Sequence, residues 1–314
     1  MSRISSVFNK PAHRALIPYI TVGYPSIEAT LKVVPLLASS GCDIVELGIP
    51  FSDPLADGAT IQKASFCALE NGVTPQICLE VARQLRQKVN IPLVFMTYFN
   101  PVFSYGLEEF CRDCAKSGID GLIIPDLPPD EGSGLEIITQ RHRLDLIYLL
   151  PPTSTEERIR LVSQKSRGFV YLVSLTGVTG VRNKLPPNLE AFVARVRRVT
   201  KQPLCVGFGI STPEQARQVA RIADGVIVGS RLIQLMEAED GFMSLGNFVK
   251  GLRCALDKSL EEQKLLMYSG VNALDWTLWV RQVGQGDDRL GEINTEALHL
   301  KKQALSLYTL HLLG

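Results

Sequence analysis

Three carboxylates lie within twelve residues of one another in the stretch ELGIPFSDPLADG, residues 46–58: Glu46, Asp53 and Asp57. Glu46 ends an apolar run, CDIVEL, and stands among Val45, Leu47 and Ile49. A carboxylate so placed loses water, and desolvation raises its affinity for a proton, as a general acid–base group requires. Asp53 and Asp57 lie four apart on the loop that follows, with Pro54 fixing the backbone between them. Two carboxylates in unlike environments can divide a reaction between them, one exchanging protons and the other holding a developing positive charge. The spacing alone allows a plainer arrangement, in which Asp57 caps the next helix and Glu46 pairs with a lysine or arginine.

The elements that would position these groups alternate along the chain. Short, continuously apolar runs at 16–23, 43–47, 91–98, 119–125, 144–150, 168–174, 202–209 and 223–229 read as strands. Between them, 27–38, 59–70, 75–87, 107–116, 130–141, 155–165, 189–199, 212–221 and 230 to about 260 read as helices, after a leader with a short helix of its own. Strands apolar on both faces belong to a parallel sheet covered by helices. Eight such units in some 250 residues predict a (β/α)8 TIM barrel over 1–262. The alternative, a doubly wound open sheet, lacks its glycine-rich fingerprint, since the first turn reads TVGYPS.

In a barrel, chemistry collects where strands end. The unusual residues fall there: Tyr19, Glu46, Tyr98 and Asn100, Asp126, Tyr171 and Ser174, Phe208 and Gly209, and Gly229 and Ser230. Singly, some have plainer readings: Tyr171 as barrel filling, Asn100 with Pro101 as a turn. The last two strands, LCVGFG and GVIVG, each finish in glycine just before a helix. Bare backbone and first-turn amides suit an anion, so a phosphate is expected there. The long loop SLTGVTGVRNKLPPN, 174–188, carries two glycines and has the length of a lid over the mouth. Gly180 is one of those glycines and could give an amide to the phosphate.

Composition narrows the class. Formal net charge is +1 and the basic residues are dispersed, which argues against a nucleic-acid surface. No apolar run has the length of a membrane span, and MSRISSVFNK lacks the core of a signal peptide; no membrane association is expected. The expected location is the cytoplasm, or the plastid stroma for an organelle-encoded chain, with no transit peptide seen. Seven cysteines in mostly apolar settings read as reduced and buried, and Cys111 and Cys114, on one helix without a second pair, read as packing rather than as a zinc or redox pair. The four histidines form no ligand spacing, so no metal is expected.

In order, ELGIPFSDPLADG, NPVFSYG, PDLP, GVTG, VGFGIS and VGS resemble the motifs of tryptophan synthase alpha chains, over roughly residues 5–262. The resemblance implies a (β/α)8 barrel that cleaves 1-C-(indol-3-yl)glycerol 3-phosphate by a retro-aldol reaction to indole and D-glyceraldehyde 3-phosphate, with no cofactor in this subunit. It implies a beta-chain partner carrying pyridoxal phosphate, in an alpha2-beta2 tetramer. Within the motifs, the catalytic glutamate falls on Glu46, the catalytic aspartate on Asp57 and the active-site tyrosine on Tyr171. The lid threonine falls on Thr179, and the phosphate amides on Gly180, Gly209, Gly229 and Ser230, with Phe208 beside them. Asp53, Asn100 and Pro128 match positions at the beta-chain contact and in the coupling of the two sites. Tyr19, Leu122, Tyr171 and Phe208 are the candidates to hold the indole ring.

This chain departs from the family in two places. Leu175 stands in the lid where some members have arginine, and residues 263–314 lie outside the resemblance. That tail has the apolar spacing of two amphipathic helices around the polar linker GQGDDRLGE, and is expected to be an appendage. Two other functions use the same features: a stand-alone indole-releasing lyase that needs no beta chain, and a non-catalytic phosphate-binding subunit. Retained Asp53, Asn100 and Pro128 favour the partnered enzyme over the first, and the two carboxylates disfavour the second. Indole release with and without a beta chain separates all three.

Overall fold

A computed structural model describes the backbone of residues 1–10, 13–173, 185–207, 209–238 and 240–269, and side chains as far as Ser259. In chain order the described elements are α1 (Arg3–Val7), β1 (Ala15–Thr21), α2 (Ile27–Ser39), β2 (Val45–Gly48), α3 (Ala59–Glu70), α4 (Pro75–Arg86) and β3 (Leu93–Met96). Then come α5 (Phe99–Tyr105), α6 (Leu107–Lys116), β4 (Gly121–Ile123), α7 (Ser133–Arg141), β5 (Asp145–Ile147), β6 (Leu149–Leu150), α8 (Glu156–Lys165) and β7 (Val170–Val173). The series ends with α9 (Leu189–Val199), β8 (Leu204–Gly207), α10 (Pro213–Ala220), β9 (Gly225–Val228), α11 (Ser230–Leu235) and α12 (Met243–Ser269).

All pairings are parallel, in the order β5-β4-β3-β2-β1-β9-β8-β7-β6. The two ends of that order, β5 and β6, are halves of one strand interrupted at Tyr148, so the sheet closes into an eight-position barrel. Each expected strand is found with its ends shifted by a few residues, the fifth split into β5 and β6. The element not foreseen is α5, whose first turn contains Asn100–Pro101. A proline in a first turn costs no helical bond, because the N–H it lacks would have no partner there.

Alternation along each strand splits the core in two. Ala15, Ile17, Ile44, Val94, Ile123, Ile147, Phe169, Cys205 and Ile227 fill the barrel. Leu16, Val45, Leu93, Phe95, Leu122, Leu146, Leu172 and Val226 point out to the helices. Helix α1, capped by Ser2 through the Ser5 amide, plugs the base with Ile4 and Val7. Gly121 and Gly168 make room for it, since a Cβ at either would come within 2.8 Å of Ile4.

At the base, one arrangement recurs. The carboxylates of Asp43, Asp120 and Asp224 accept the amides of Leu16, Leu93 and Leu204 on the preceding barrel strand, at 2.9, 2.9 and 2.8 Å. Each also meets an arginine: Arg253 at 3.2 Å, Arg86 at 2.7 Å, and Arg197. Backbone contacts divide the chain into one compact unit, Met1–Asp257, and a second, Lys258–Gly314. The expected boundary at 262 falls inside α12, which continues unbroken to Ser269.

Candidate active site

Glu46 sits in the middle of β2, in register with Tyr19 of β1 on one side and Val94 of β3 on the other. It is fully buried, and neither carboxylate oxygen has a hydrogen-bond partner among the described residues. Burial pushes its pKa up to about 8. The plainer reading of Glu46, an ion pair, is therefore absent among the described residues. A buried carboxyl without a compensating cation is costly to the fold, and such groups cluster where chemistry needs them.

Asp57 lies on the turn between β2 and α3. It does not cap the helix, because the N-cap is Gly58. Its side chain instead accepts the Tyr98 hydroxyl at 3.1 Å. Burial raises its pKa to about 6, and the Tyr98 bond works in the opposite direction. The two carboxyls are thus pushed up to about 8 and about 6, each chiefly by burial.

The turn itself is pinned at several points. The Phe51 amide donates to Ser65 Oγ at 2.9 Å, the Leu55 amide to the Asp53 carbonyl at 2.9 Å, and the Asp57 amide to the Pro54 carbonyl at 3.0 Å. Tyr98 Oη accepts the Ala56 amide at 2.9 Å, and its ring packs on Phe51 at 5.3 Å between centroids. One tyrosine therefore holds the backbone before Asp57 and its side chain together. Against the turn, a cavity of about 360 Å³ is lined by Phe51, Asp53, Leu55, Ala56, Tyr98, Pro125 and Asp126. Asp53 is exposed and accepts the Ser52 hydroxyl, while Leu55 is 93% exposed.

Tyr19 and Tyr171 are buried, and burial raises the pKa of both well above the ordinary phenol value; the Glu46 and Asp57 charges add to this in each. Both tyrosines are thus close enough to the two carboxyls to feel their charge. Each tyrosine lies over a glycine of the neighbouring strand. A Cβ on Gly48 would stand 2.2 Å from Tyr19 Oη, and one on Gly207 would stand 2.8 Å from Tyr171 Oη.

Beyond β1 from the turn after β2, following β8, Gly209 has a left-handed backbone at φ +63°. Gly229 precedes α11, whose first residue, Ser230, is buried, and no side chain caps that helix. Thr179, Gly180, Phe208, Leu175 and most of the 174–188 loop lie outside the described residues.

Of the ring-holding candidates, Leu122 does not reach the mouth. It belongs to the outward cluster, and its neighbour Ile123 faces the barrel interior. In an unbroken apolar strand nothing local sets the phase, and a shift of one residue exchanges the two faces. Asn100 is exposed on α5, beside the Phe99 amide that Asp126 accepts at 2.9 Å, and Pro128 is half-buried. Residues without a role in the sequence reading are Tyr98, Gly48 and Ile123. Cys111 and Cys114 are buried on α6 with free thiols. Among the described residues, no group of three His, Cys, Asp or Glu side chains is placed to hold a metal, and no helix is long and apolar enough to cross a membrane.

The family model described as tryptophan synthase alpha chain matches residues 6–252. A tryptophan synthase alpha chain from Dehalococcoides mccartyi is 57% identical over 257 residues, which span 82% of this chain and 100% of that one. One from Geobacter sulfurreducens is 48% identical over 263 residues, 82% of this chain and 99% of its own. Among solved structures, tryptophan synthase subunit alpha from Legionella pneumophila superposes with a TM-score of 0.77 at 39% identity, covering 82% and 99% of the two chains. Tryptophan synthase from Mycobacterium tuberculosis gives 0.77 at 40% identity, covering 82% and 98%.

Proposed function

The chain belongs to the tryptophan synthase alpha chain family, and from that premise we propose how its own residues carry the reaction. It is a lyase that cleaves 1-C-(indol-3-yl)glycerol 3-phosphate by a retro-aldol reaction to indole and D-glyceraldehyde 3-phosphate. A beta chain is its partner, in an alpha2-beta2 assembly.

Glu46 starts protonated. It gives its proton to indole C3, which leaves positive charge on the ring nitrogen. Asp57, ionised, accepts the ring N–H and stabilises that charge. Glu46, now a carboxylate, takes the proton of the glycerol hydroxyl next to the ring. As that oxygen becomes the aldehyde carbonyl, the carbon–carbon bond breaks and its electron pair returns to the ring as indole. Glu46 ends as it began. The observation that carries this reading is the pair itself: a fully buried carboxyl, pushed up to about 8 by burial, and a second on the turn after the same strand, raised to about 6. Such a separation suits one proton carrier and one fixed charge.

The substrate phosphate binds the open backbone at Gly209, Gly229 and Ser230, after β8 and β9. Tyr171 and Ile123 flank the indole ring. The beta chain docks on the rim formed by exposed Asp53, Leu55 and Asn100, with Pro128 nearby. Residues 1–262 form the catalytic domain and 263–314 an appendage dispensable for turnover. The test is indole release by the complex with beta chain, for the wild type, Glu46→Gln and Asp57→Asn. Each variant should retain its fold and lose about 100-fold or more in kcat, the usual scale for general acid–base groups. Near-wild-type indole release by Glu46→Gln would sink the assignment.

A further inference from the structure

We infer that the Tyr19 hydroxyl donates a hydrogen bond to the substrate oxygen that becomes the aldehyde carbonyl, making Tyr19 a third catalytic residue. The inference rests on the reaction proposed above and adds a group that the two-carboxylate scheme lacks.

The ring of Tyr19 connects the two ends of the site. Its base lies against Gly229, where a Cβ would stand 3.4 Å from Tyr19 Cδ1. Its tip lies over Gly48, two residues beyond Glu46 on the same face of β2. A glycerol chain that runs from a phosphate at Gly229 to the carbon served by Glu46 must therefore pass along this ring. The hydroxyl lies over Gly48, where the charges of both Asp57 and Glu46 bear on it, Asp57 the more strongly. Its partner there is Thr21 Oγ1 at 3.4 Å, a long contact that leaves the donor able to turn to substrate. Phenylalanine would fill the same apolar space without burying a polar atom. Burial and the flanking carboxylates hold the phenol proton tightly, so the group stays a donor and does not act as an acid.

The chemistry has a use for such a donor. When Glu46 removes the hydroxyl proton, the oxygen carries growing negative charge until the carbon–carbon pair departs to the ring. A fixed donor at that oxygen makes the alcohol more acidic and stabilises the charge where it develops. The Tyr19 proton is shared throughout and never transferred, so the step stays balanced between Glu46 and substrate.

Tyr19→Phe keeps the ring and removes the donor. In the complex with beta chain, kcat should fall about 100-fold while KM changes by only a few-fold, the pattern of an interaction made in the transition state. The affinity for 3-(indol-3-yl)propyl phosphate, which has the phosphate and ring but no hydroxyl, should be unchanged. A kcat within about threefold of an active wild type overturns the proposal alone. A loss of analogue affinity matching the loss in kcat/KM also overturns it, because ring packing would then be the cause. A wild type that releases no indole overturns the parent reaction, and the proposal with it.

Discussion

The Tyr98 hydroxyl donates to Asp57 Oδ2 at 3.1 Å while accepting the Ala56 amide at 2.9 Å, so one side chain fixes both the turn and the charge it carries. The bond favours the ionised carboxylate, against the burial that disfavours it. Tyr98→Phe removes only this oxygen. The Asp57 pKa should then rise further above its present value of about 6. Activity requires ionised Asp57, so the acid limb of the kcat/KM profile should move to higher pH. An unmoved limb in Tyr98→Phe would show that Asp57 is held by something else.

The wild-type profile should be bell-shaped. Turnover rises as Asp57 ionises, near pH 6, and falls as Glu46 loses the proton it must deliver, near pH 8. Asp57→Asn and Glu46→Gln should each abolish the limb belonging to the group removed, in whatever activity remains. A profile flat from pH 5 to 9 would separate both groups from the rate.

The same burial makes Glu46 a pH-dependent liability for the fold. Its pKa is about 8 folded and near 4.5 unfolded, so the unfolded chain releases the proton first. The contribution is fully favourable below the unfolded pKa and is lost as pH rises through the folded one. Between pH 5 and pH 9 the wild type should lose a few kcal/mol of stability that Glu46→Gln does not lose. Urea unfolding of both proteins at the two pH values measures the difference directly. Parallel pH dependences would place the titration elsewhere.

Much of this site was legible because the barrel writes its strands as apolar runs and its chemistry at their ends. Glu46 stood out as the charge in such a run, and the register with Tyr19 and Val94 accounts for its burial. Three features were hidden for physical reasons. The facing of Leu122 and Ile123 depends on α1, because Ile4 fills the base and Gly121 must point inward to admit it. Helix α5 was masked by Asn100–Pro101, a pair equally suited to a turn. Tyr98 was visible at a strand end, but its partners Ala56 and Asp57 lie some forty residues earlier, and only the closed barrel brings them together.

The base of the barrel should be separable from the mouth. Asp120 accepts Arg86 at 2.7 Å and the Leu93 amide at 2.9 Å, in a setting where both side chains are largely buried. Asp120→Ala leaves a buried guanidinium and an amide short of a partner, a loss of about 2–4 kcal/mol. Arg86 keeps its bonds to the Gly118, Val89 and Ile91 carbonyls, which limits the damage. Denaturant midpoints should drop while kcat and KM for indole release stay at wild-type values below the transition. A changed kcat in folded protein would contradict the separation.

The turn from Asp53 to Asp57 should also carry a message from the beta chain. Asp53 and Leu55 are exposed, whereas Asp57 reaches inward to Tyr98, and the bonds Leu55 to Asp53 and Asp57 to Pro54 make the segment one tight unit. Pro54, buried and with its φ fixed, leaves few ways for one end to move without the other. A partner that seats Leu55 and Asp53 therefore selects the position of Asp57, without adding a catalytic group. If the competent position is about 1% populated in the free chain and nearly full in the complex, turnover rises roughly 100-fold, worth about 2.7 kcal/mol. Asp53→Ala and Leu55→Ala should weaken this activation more than they lower the basal rate, because neither side chain enters the site. The measurement is steady-state cleavage across a titration of beta chain, with binding followed independently. A wild-type rate that stays flat as the complex forms rejects the coupling, and a high rate in the isolated chain assigns it to a lyase that works alone.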